Sequence, residues 1–527
     1  MTSHHPQIFL YEKKITQILF RLRSKGIRVW ADNGRLHYQP SKEGPTAEEI
    51  ETLRVLRDPI LALLQLTNSP EKEARLTPRM PHEHVPLTFS QQLWYAGLNL
   101  EKRPGVRSLA KAARLIGHLD QNAMCKSVEI LFNRHEALRT RITSADSGGT
   151  QHIDATSRHG LEIFDLTTLP YEKREFESKR LVEELAHEPV LLDTGPLFAA
   201  RLLQLDKLNH ILVIAAEHII SDAASIGIAW RDIFSAYTLS IQGQGNPSPK
   251  SHIQFPDYAV WQLKNHSSWM DQHATYWQNR LAGSTHTRLS QDNKIQHLTK
   301  RQWAKLAICF EGTLRNNLVQ MSRRENTSLV MSILTSFAAL IMRWTNTSSL
   351  LLPFTTAGRY YPDIESTIGF FGTPLLLRID LFEEDTFTDL LIRVTNEYAI
   401  AYAHDDSCRM VTLMNKPELL LNPTFNWIPS DFYSDSNELG YKQQPADSLI
   451  IADYKFEIVP PDDEPNEENE PRIDLSDSNN SVIGEIGYRA DLFQLTTIER
   501  LRRNLLFFAE TLSKLPKTRV NSIALLQ

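Results

Sequence analysis

The run Ile211-Leu212-Val213-Ile214-Ala215-Ala216-Glu217-His218-Ile219-Ile220-Ser221-Asp222-Ala223 decides the reading of the fold. Its first six residues are apolar and β-rich with no alternation, as in a strand covered on both faces. Such a strand needs helical layers above and below it, which points to an α/β domain. Directly after it come Glu217, His218, Asp222 and Ser225, with Ala223, Ala224 and Gly227 small enough to let a ligand or a second backbone approach. Groups at the end of a buried strand are rigidly held and still face a cleft. From the residues alone, a histidine there suits a packed or surface role as well as a catalytic one.

Working outward, Leu350-Leu351-Leu352-Pro353-Phe354 and Leu375-Leu376-Leu377-Arg378-Ile379 read as further buried strands. Helical spacing of apolar residues covers Gln121 to Asn133, Met331 to Trp344 and Thr497 to Leu515. With 527 residues the chain exceeds one ordinary core, and two lobes of α/β class are expected. Hydrophobic residues at 41% and charged residues at 23% are globular values, and a net charge of -6 argues against a nucleic-acid partner. Three cysteines, Cys125, Cys309 and Cys408, lie far apart and suggest neither disulfides nor a thiolate metal site. Lys13 and Lys14 interrupt any signal-peptide core, and no apolar run approaches the roughly 20 residues that span a bilayer. A cytoplasmic protein, free of membrane and metal, is the expectation.

Residues 1–66 read as a separate α+β unit of a helix, a hairpin and two helices. Ile8, Tyr11, Ile15, Ile18, Leu19 and Leu22 recur at helical spacing before the stop at Gly26. Ile27-Arg28-Val29-Trp30 and Arg35-Leu36-His37-Tyr38 flank Asn33-Gly34, a strong hairpin signal. Thr46 with Glu49 forms a capping-box pattern, and Asp58-Pro59 starts a third helical stretch. The free hairpin edge suits either a cap on the next domain or an acceptor for a partner's strand. Residues 67–84 read as a linker, and the acidic run between Pro460 and Pro471 as a solvated loop or a docking surface.

Seven blocks spread along the chain carry a resemblance. Glu217 to Ala223 resembles the HHxxxDG motif of nonribosomal peptide synthetase condensation domains, of the chloramphenicol-acetyltransferase-like superfamily. Pro86-Leu87-Thr88-Phe89-Ser90-Gln91-Gln92-Leu93-Trp94 resembles that family's opening motif, and Arg134-His135-Glu136-Ala137-Leu138-Arg139-Thr140 its RHExLRT motif. Phe255-Pro256-Asp257-Tyr258-Ala259-Val260-Trp261-Gln262 is similar to its YxDYAVWQ element. Ala357-Gly358-Arg359, then Ile368-Gly369-Phe370-Phe371-Gly372-Thr373 and Arg378, resemble its IGxFVNT region. Phe425-Asn426-Trp427 and Gly487 to Phe493 are similar to its closing elements. The N-terminal unit resembles the tubulysin-type docking domains of synthetase subunits.

The resemblance implies a two-lobed, V-shaped fold, divided here at 85–267 and 268–527, with the site between the lobes. It implies an acyltransferase that forms amide bonds, working as a monomer without a permanently bound cofactor. A partner carrier protein would deliver the donor on its 4'-phosphopantetheine arm. His218 would take the proton from the attacking amine, or orient that amine and stabilise the oxyanion. Asp222 would pair with Arg378, while Glu217, Ala223, Arg134, Ser90, Tyr258, Trp261 and Asn426 would support the site. An acidic tail from the upstream subunit would add to the hairpin at Lys25, Arg28, Val29, Trp30, Arg35, Leu36, His37 and Tyr38.

Two positions depart from the motif: Glu217 replaces its first His and Ala223 its Gly. An ionised Glu217 would favour the protonated imidazole at His218, and Ala223 is tolerable only at negative φ. His404-Asp405-Asp406-Ser407 keeps fragments of the family's HQDxPFE block. No adenylation signature, carrier serine motif or GxSxG elbow is found, so a terminal subunit that releases the peptide onto a free amine is expected, as in rhabdopeptide-like systems. Condensation with a carrier-bound acceptor, ester formation and an inactive scaffold are the alternatives.

Overall fold

A computed structural model describes residues 22, 27–32, 35–39, 44–55, 57, 76–100, 104–144, 149–156, 160–243, 253–284, 287–293, 302–325, 327–359, 361–404, 423–428, 450–453, 471–477 and 481–526. The hairpin forms as expected, Arg28–Asp32 running antiparallel to Arg35–Gln39 with Asp32 opposite Arg35. The next helix, Ala47–Val55, opens on reciprocal bonds: Thr46 N donates to Glu49 Oε2 (2.8 Å) and Glu49 N to Thr46 Oγ1 (3.3 Å). Apart from Leu22, which is helical and buried, the helix expected before Gly26 lies outside the described residues, as do the helix after Pro59, the Asn33-Gly34 turn and the acidic run before Pro471.

The stretch read as a linker is already docked at its end. Leu76 is buried, and Arg79 reaches Asp257 (2.6 Å) and Glu136 (2.8 Å). A fork of five donors between two carboxylates fixes the chain before the first helix of the next unit, Phe89–Leu100, begins.

Two sheets organise the rest. The five-stranded sheet runs Ile450–Asp453, Leu109–Ile116, Asn209–Ala216, Phe198–Gln204, Leu161–Asp165. Asn209–Ala216 has antiparallel neighbours on both sides and is buried from His210 to Ala216, which accounts for its unbroken apolar run. The edge strand Ile450–Asp453 comes from the far end of the chain and pairs Ile450 with Ile116. The six-stranded sheet runs Trp303–Glu311, Ser481–Arg489, Arg472–Asp477, Thr424–Trp427, Ser349–Thr356, Thr373–Asp380. Leu350 to Phe354 and Leu375 to Ile379 are strands here, as read.

Helices Gln121–Arg134, Leu329–Thr345 and Leu495–Lys514 match the periodic segments within two residues. Asp120 accepts from Ala123 N (3.0 Å) and Ser328 from Met331 N (3.3 Å), so side-chain oxygens satisfy the first turns. The helix Phe255–Leu281 crosses the division drawn at 267/268 and connects the two sheets. One contiguous core includes Leu212 and Ile214 from the first sheet and Phe337 and Phe354 from the second half. No single helix among the described residues is long and apolar enough to cross a membrane.

Candidate active site

The central strand ends at Ala216, and the chain turns at once into a single 3-10 turn, His218–Ile220. Gln91 anchors that turn. Its amide donates to Ile219 O (2.8 Å) and to Gln151 Oε1 (3.3 Å), while Thr88 N donates to its oxygen (2.9 Å). Ser90, its neighbour, is buried in the first turn of the same helix.

His218 is half-buried in a corner formed by two aromatic rings. Trp94 lies 4.8 Å away centroid to centroid and Phe370 4.5 Å, and the two meet edge-on at 6.2 Å. Trp94 belongs to the opening helix and Phe370 to the loop before Thr373–Asp380, so distant parts of the chain converge on one imidazole.

Asp222 caps the helix Ala223–Ile241, accepting from Ser225 N (2.8 Å). The ion pair expected with Arg378 does not form. Asp222 instead meets Arg359 end-on, Nη1 to Oδ2 at 2.9 Å and Nη2 to Oδ1 at 3.0 Å, with both side chains buried. Oδ2 also accepts from Phe371 N and Gly372 N, both at 3.1 Å. Burial pushes the Asp222 carboxyl up, but Arg359 and these donors win and hold it below the usual carboxylate range.

The reason for the exchange of arginines is backbone geometry. Gly358 sits at φ +62°, where an added Cβ would lie 1.8 Å from Phe371 O, and this turn folds Arg359 back toward Asp222. Arg378 instead points at the C-terminus of Phe255–Leu281, donating to Arg280 O (3.3 Å) and Ala282 O (2.7 Å). A cation there answers the unpaired carbonyls of the helix end.

Ser225 completes the latch. Its hydroxyl donates to Gly369 O (2.9 Å) and accepts from Gly369 N (3.0 Å) and Arg359 Nη2 (2.8 Å). The loop carrying Phe370 is therefore tied down on both sides of that ring. Tyr258 packs on Phe371 (5.0 Å) and Trp261 on Tyr361 (5.0 Å), supporting the loop from below. Arg134 stands 3.3 Å from Asp232, which also meets His135 (2.8 Å), so this motif braces two helices instead of touching His218. Asn426 bridges strands, donating to Asp474 (2.7 Å) and accepting from Thr355 (2.5 Å).

Ala223 is the first residue of its helix and is absent from the positive-φ positions, so its methyl group is tolerated. Glu217 is buried, accepting from Trp94 Nε1 (3.0 Å) and from Ile219 N. Burial pushes its carboxyl from an ordinary 4.5 up to about 7, against the pull of those two donors. A raised folded-state pKa means stability present below pH 4.5 and lost as pH rises to about 7, a change of roughly 3 kcal/mol. Urea midpoints of wild type and Glu217→Gln, compared between pH 4.5 and 8, are expected to diverge by that amount. Parallel curves would exclude this origin.

Among the described residues no group of three or more His, Cys, Asp or Glu is placed to hold a metal. On the hairpin, Arg35 and Tyr38 are exposed and Val29, Leu36 and His37 half-buried. Lys25 and the side chains of Arg28 and Trp30 lie outside the described residues. Gln91, Trp94, Arg359 and Phe370 were within reach of the sequence, since each sits inside a block quoted for the resemblance.

Two mixed sheets and a histidine at the end of a central strand define an α/β fold of the chloramphenicol-acetyltransferase-like type. Comparison with known proteins agrees. Residues 82–527 match the Condensation domain family and residues 15–65 the TubC N-terminal docking domain. The chain belongs to the condensation-domain family of nonribosomal peptide synthetases. A linear gramicidin synthase from Brevibacillus parabrevis is 30% identical over 436 residues, 81% of this chain and 8% of that protein. The chain thus spans less than a tenth of that relative's length. The X-domain from teicoplanin biosynthesis superimposes with a TM-score of 0.72 at 22% identity, covering 86% of this chain and all of that one. The condensation domain that mediates chain release from the enacyloxin polyketide synthase gives 0.63 at 17% identity, covering 97% and 98%.

Proposed function

We propose that this protein joins a peptidyl thioester, delivered by the carrier protein of an upstream synthetase subunit, to a free amine and so releases the product. The observation that carries this reading is His218, clamped by Trp94 and Phe370 at the end of the central strand. The amine nitrogen attacks the thioester carbonyl, a C–N bond forms and the C–S bond breaks. One proton leaves the nitrogen and one returns to the departing thiolate. An imidazole held in one orientation can accept the first and supply the second, or steady the oxyanion between them. Because the thioester already makes the reaction downhill, holding the reactants in line supplies most of the rate.

The donor's phosphopantetheine arm is cargo of the partner, so no resident cofactor is required in this reading. The upstream partner is recognised by the hairpin, whose exposed edge and Arg35 suit an acidic tail that adds as a strand. The proposed setting is the cytoplasm, with the chain acting as a monomer. Release onto a free amine draws support from the enacyloxin relative.

The test is incubation with an upstream carrier bearing a peptidyl thioester and a panel of free amines, read by mass spectrometry. Amide product with the free carrier regenerated is expected. Product only with carrier-bound acceptors would establish chain extension instead, and tail binding without product from any nucleophile would establish a scaffold.

A further inference from the structure

We propose that Glu217, standing where the family's motif has its first histidine, is a positioning residue that orients His218 through the indole of Trp94. The proposal rests on the amide-forming reading above and deepens it.

Among the described residues Glu217 has no counter-ion. Trp94 Nε1 donates to Oε1 at 3.0 Å and the Ile219 amide donates to Oε2, so each carboxyl oxygen has one fixed donor. Behind the side chain lie Gly105 and Leu192: a Cβ built on Gly105 would stand 3.0 Å from Glu217 Cγ and 3.0 Å from Leu192 Cδ2. These neighbours carry no charge, and His218 follows Glu217 directly in the chain. The carboxyl therefore cannot swing away, and neither can the indole hydrogen-bonded to it. That indole is the ring packed 4.8 Å from His218. Phe370 packs on His218 from a second side, at 4.5 Å, so the Glu217–Trp94 bond fixes one of its two aromatic walls and the Asp222–Ser225–Arg359 latch fixes the other.

A buried carboxyl is a costly way to fill space, and a leucine would fill it more cheaply. Its retention is understandable if two donors must be held at once. Glutamine cannot do this, because its NH2 would face an N–H. Ile219 is backbone held in the 3-10 turn while Trp94 is a side chain, so Glu217→Gln frees Trp94 before it frees Ile219.

The experiment uses the full chain labelled with 15N at tryptophan indoles. The Trp94 Nε1–H resonance is identified by its loss in Trp94→Phe. In wild type it is expected to move downfield as Glu217 ionises around pH 7, since a charged acceptor binds the N–H more strongly. In Glu217→Gln this titration disappears and the His218 ring protons shift as the indole's ring current moves off them. In the amide assay, Trp94→Phe and Glu217→Gln each lower kcat by about tenfold with donor KM unchanged, and the double variant falls no further. A Trp94 resonance indifferent to Glu217→Gln, unshifted His218 ring protons, or additive losses in kcat would overturn the proposal. If no amine yields product, the functional reading fails, while the indole and imidazole resonances still decide whether Glu217 positions His218.

Discussion

Replacing Arg359 by alanine is expected to destabilise the fold by ~3–5 kcal/mol, because it strands Asp222 as a buried charge without its counter-ion. The magnitude follows from the geometry. Both side chains are more than nine-tenths buried, and the guanidinium makes two parallel bonds to the carboxylate. The same guanidinium binds the Ser225 hydroxyl and Thr367 O, so its loss also loosens the loop that holds Phe370. Activity should fall with stability, through displacement of Phe370 from His218. Lysine at 359 should rescue only part of the effect, since a point charge cannot reproduce the fork.

Arg378→Ala provides the contrast. That side chain is 26% exposed and donates to carbonyls, so about 1 kcal/mol is expected. Urea denaturation of the three variants decides between the arginines. A larger loss at 378 than at 359 would mean that Arg359 is not the counter-ion of Asp222.

The confusion of these arginines shows what the sequence can and cannot specify. Both lie in the block that resembles the family's motif, and both are separated from Asp222 by more than a hundred residues. Which one reaches the carboxylate depends on one left-handed glycine and on the place where a helix happens to end. Neither is a property of spacing. The central strand, by contrast, was legible because burial on both faces writes itself as an unbroken apolar run, and the start of the helix at Ala47 was legible because Thr46 with Glu49 is a local signal. The strand Ile450–Asp453 was not. Four residues carry no periodicity, and the backbone of Leu109–Ile116 that they complete lies more than three hundred residues away. The docked end of the linker escaped for a similar reason: Leu76 and Arg79 are few among polar neighbours, and only the distant Asp257 and Glu136 give them a role.

His218→Ala should behave differently from Arg359→Ala, and the difference separates chemistry from architecture. The ring is half-buried and packs against two aromatics, so truncation removes contacts but leaves no buried charge. A stability change of about 1 kcal/mol is expected. The rate should fall by roughly 10²–10⁴-fold, the usual worth of a positioned proton-transfer or oxyanion group. Binding of the upstream subunit's tail should be unchanged, because the hairpin proposed to receive it lies in the N-terminal unit, away in sequence from His218. Single-turnover kinetics over a range of donor concentrations isolates the step: its maximal rate falls while the half-saturating donor concentration holds. The pH dependence then distinguishes the two roles left open for the imidazole. If His218 accepts a proton, the wild-type rate climbs as pH rises through an ionisation that His218→Ala abolishes. If it steadies the oxyanion as a donor, His218→Gln keeps a donor in the same place and recovers part of the rate. A variant with full kcat would remove His218 from the mechanism and leave the clamp as architecture alone.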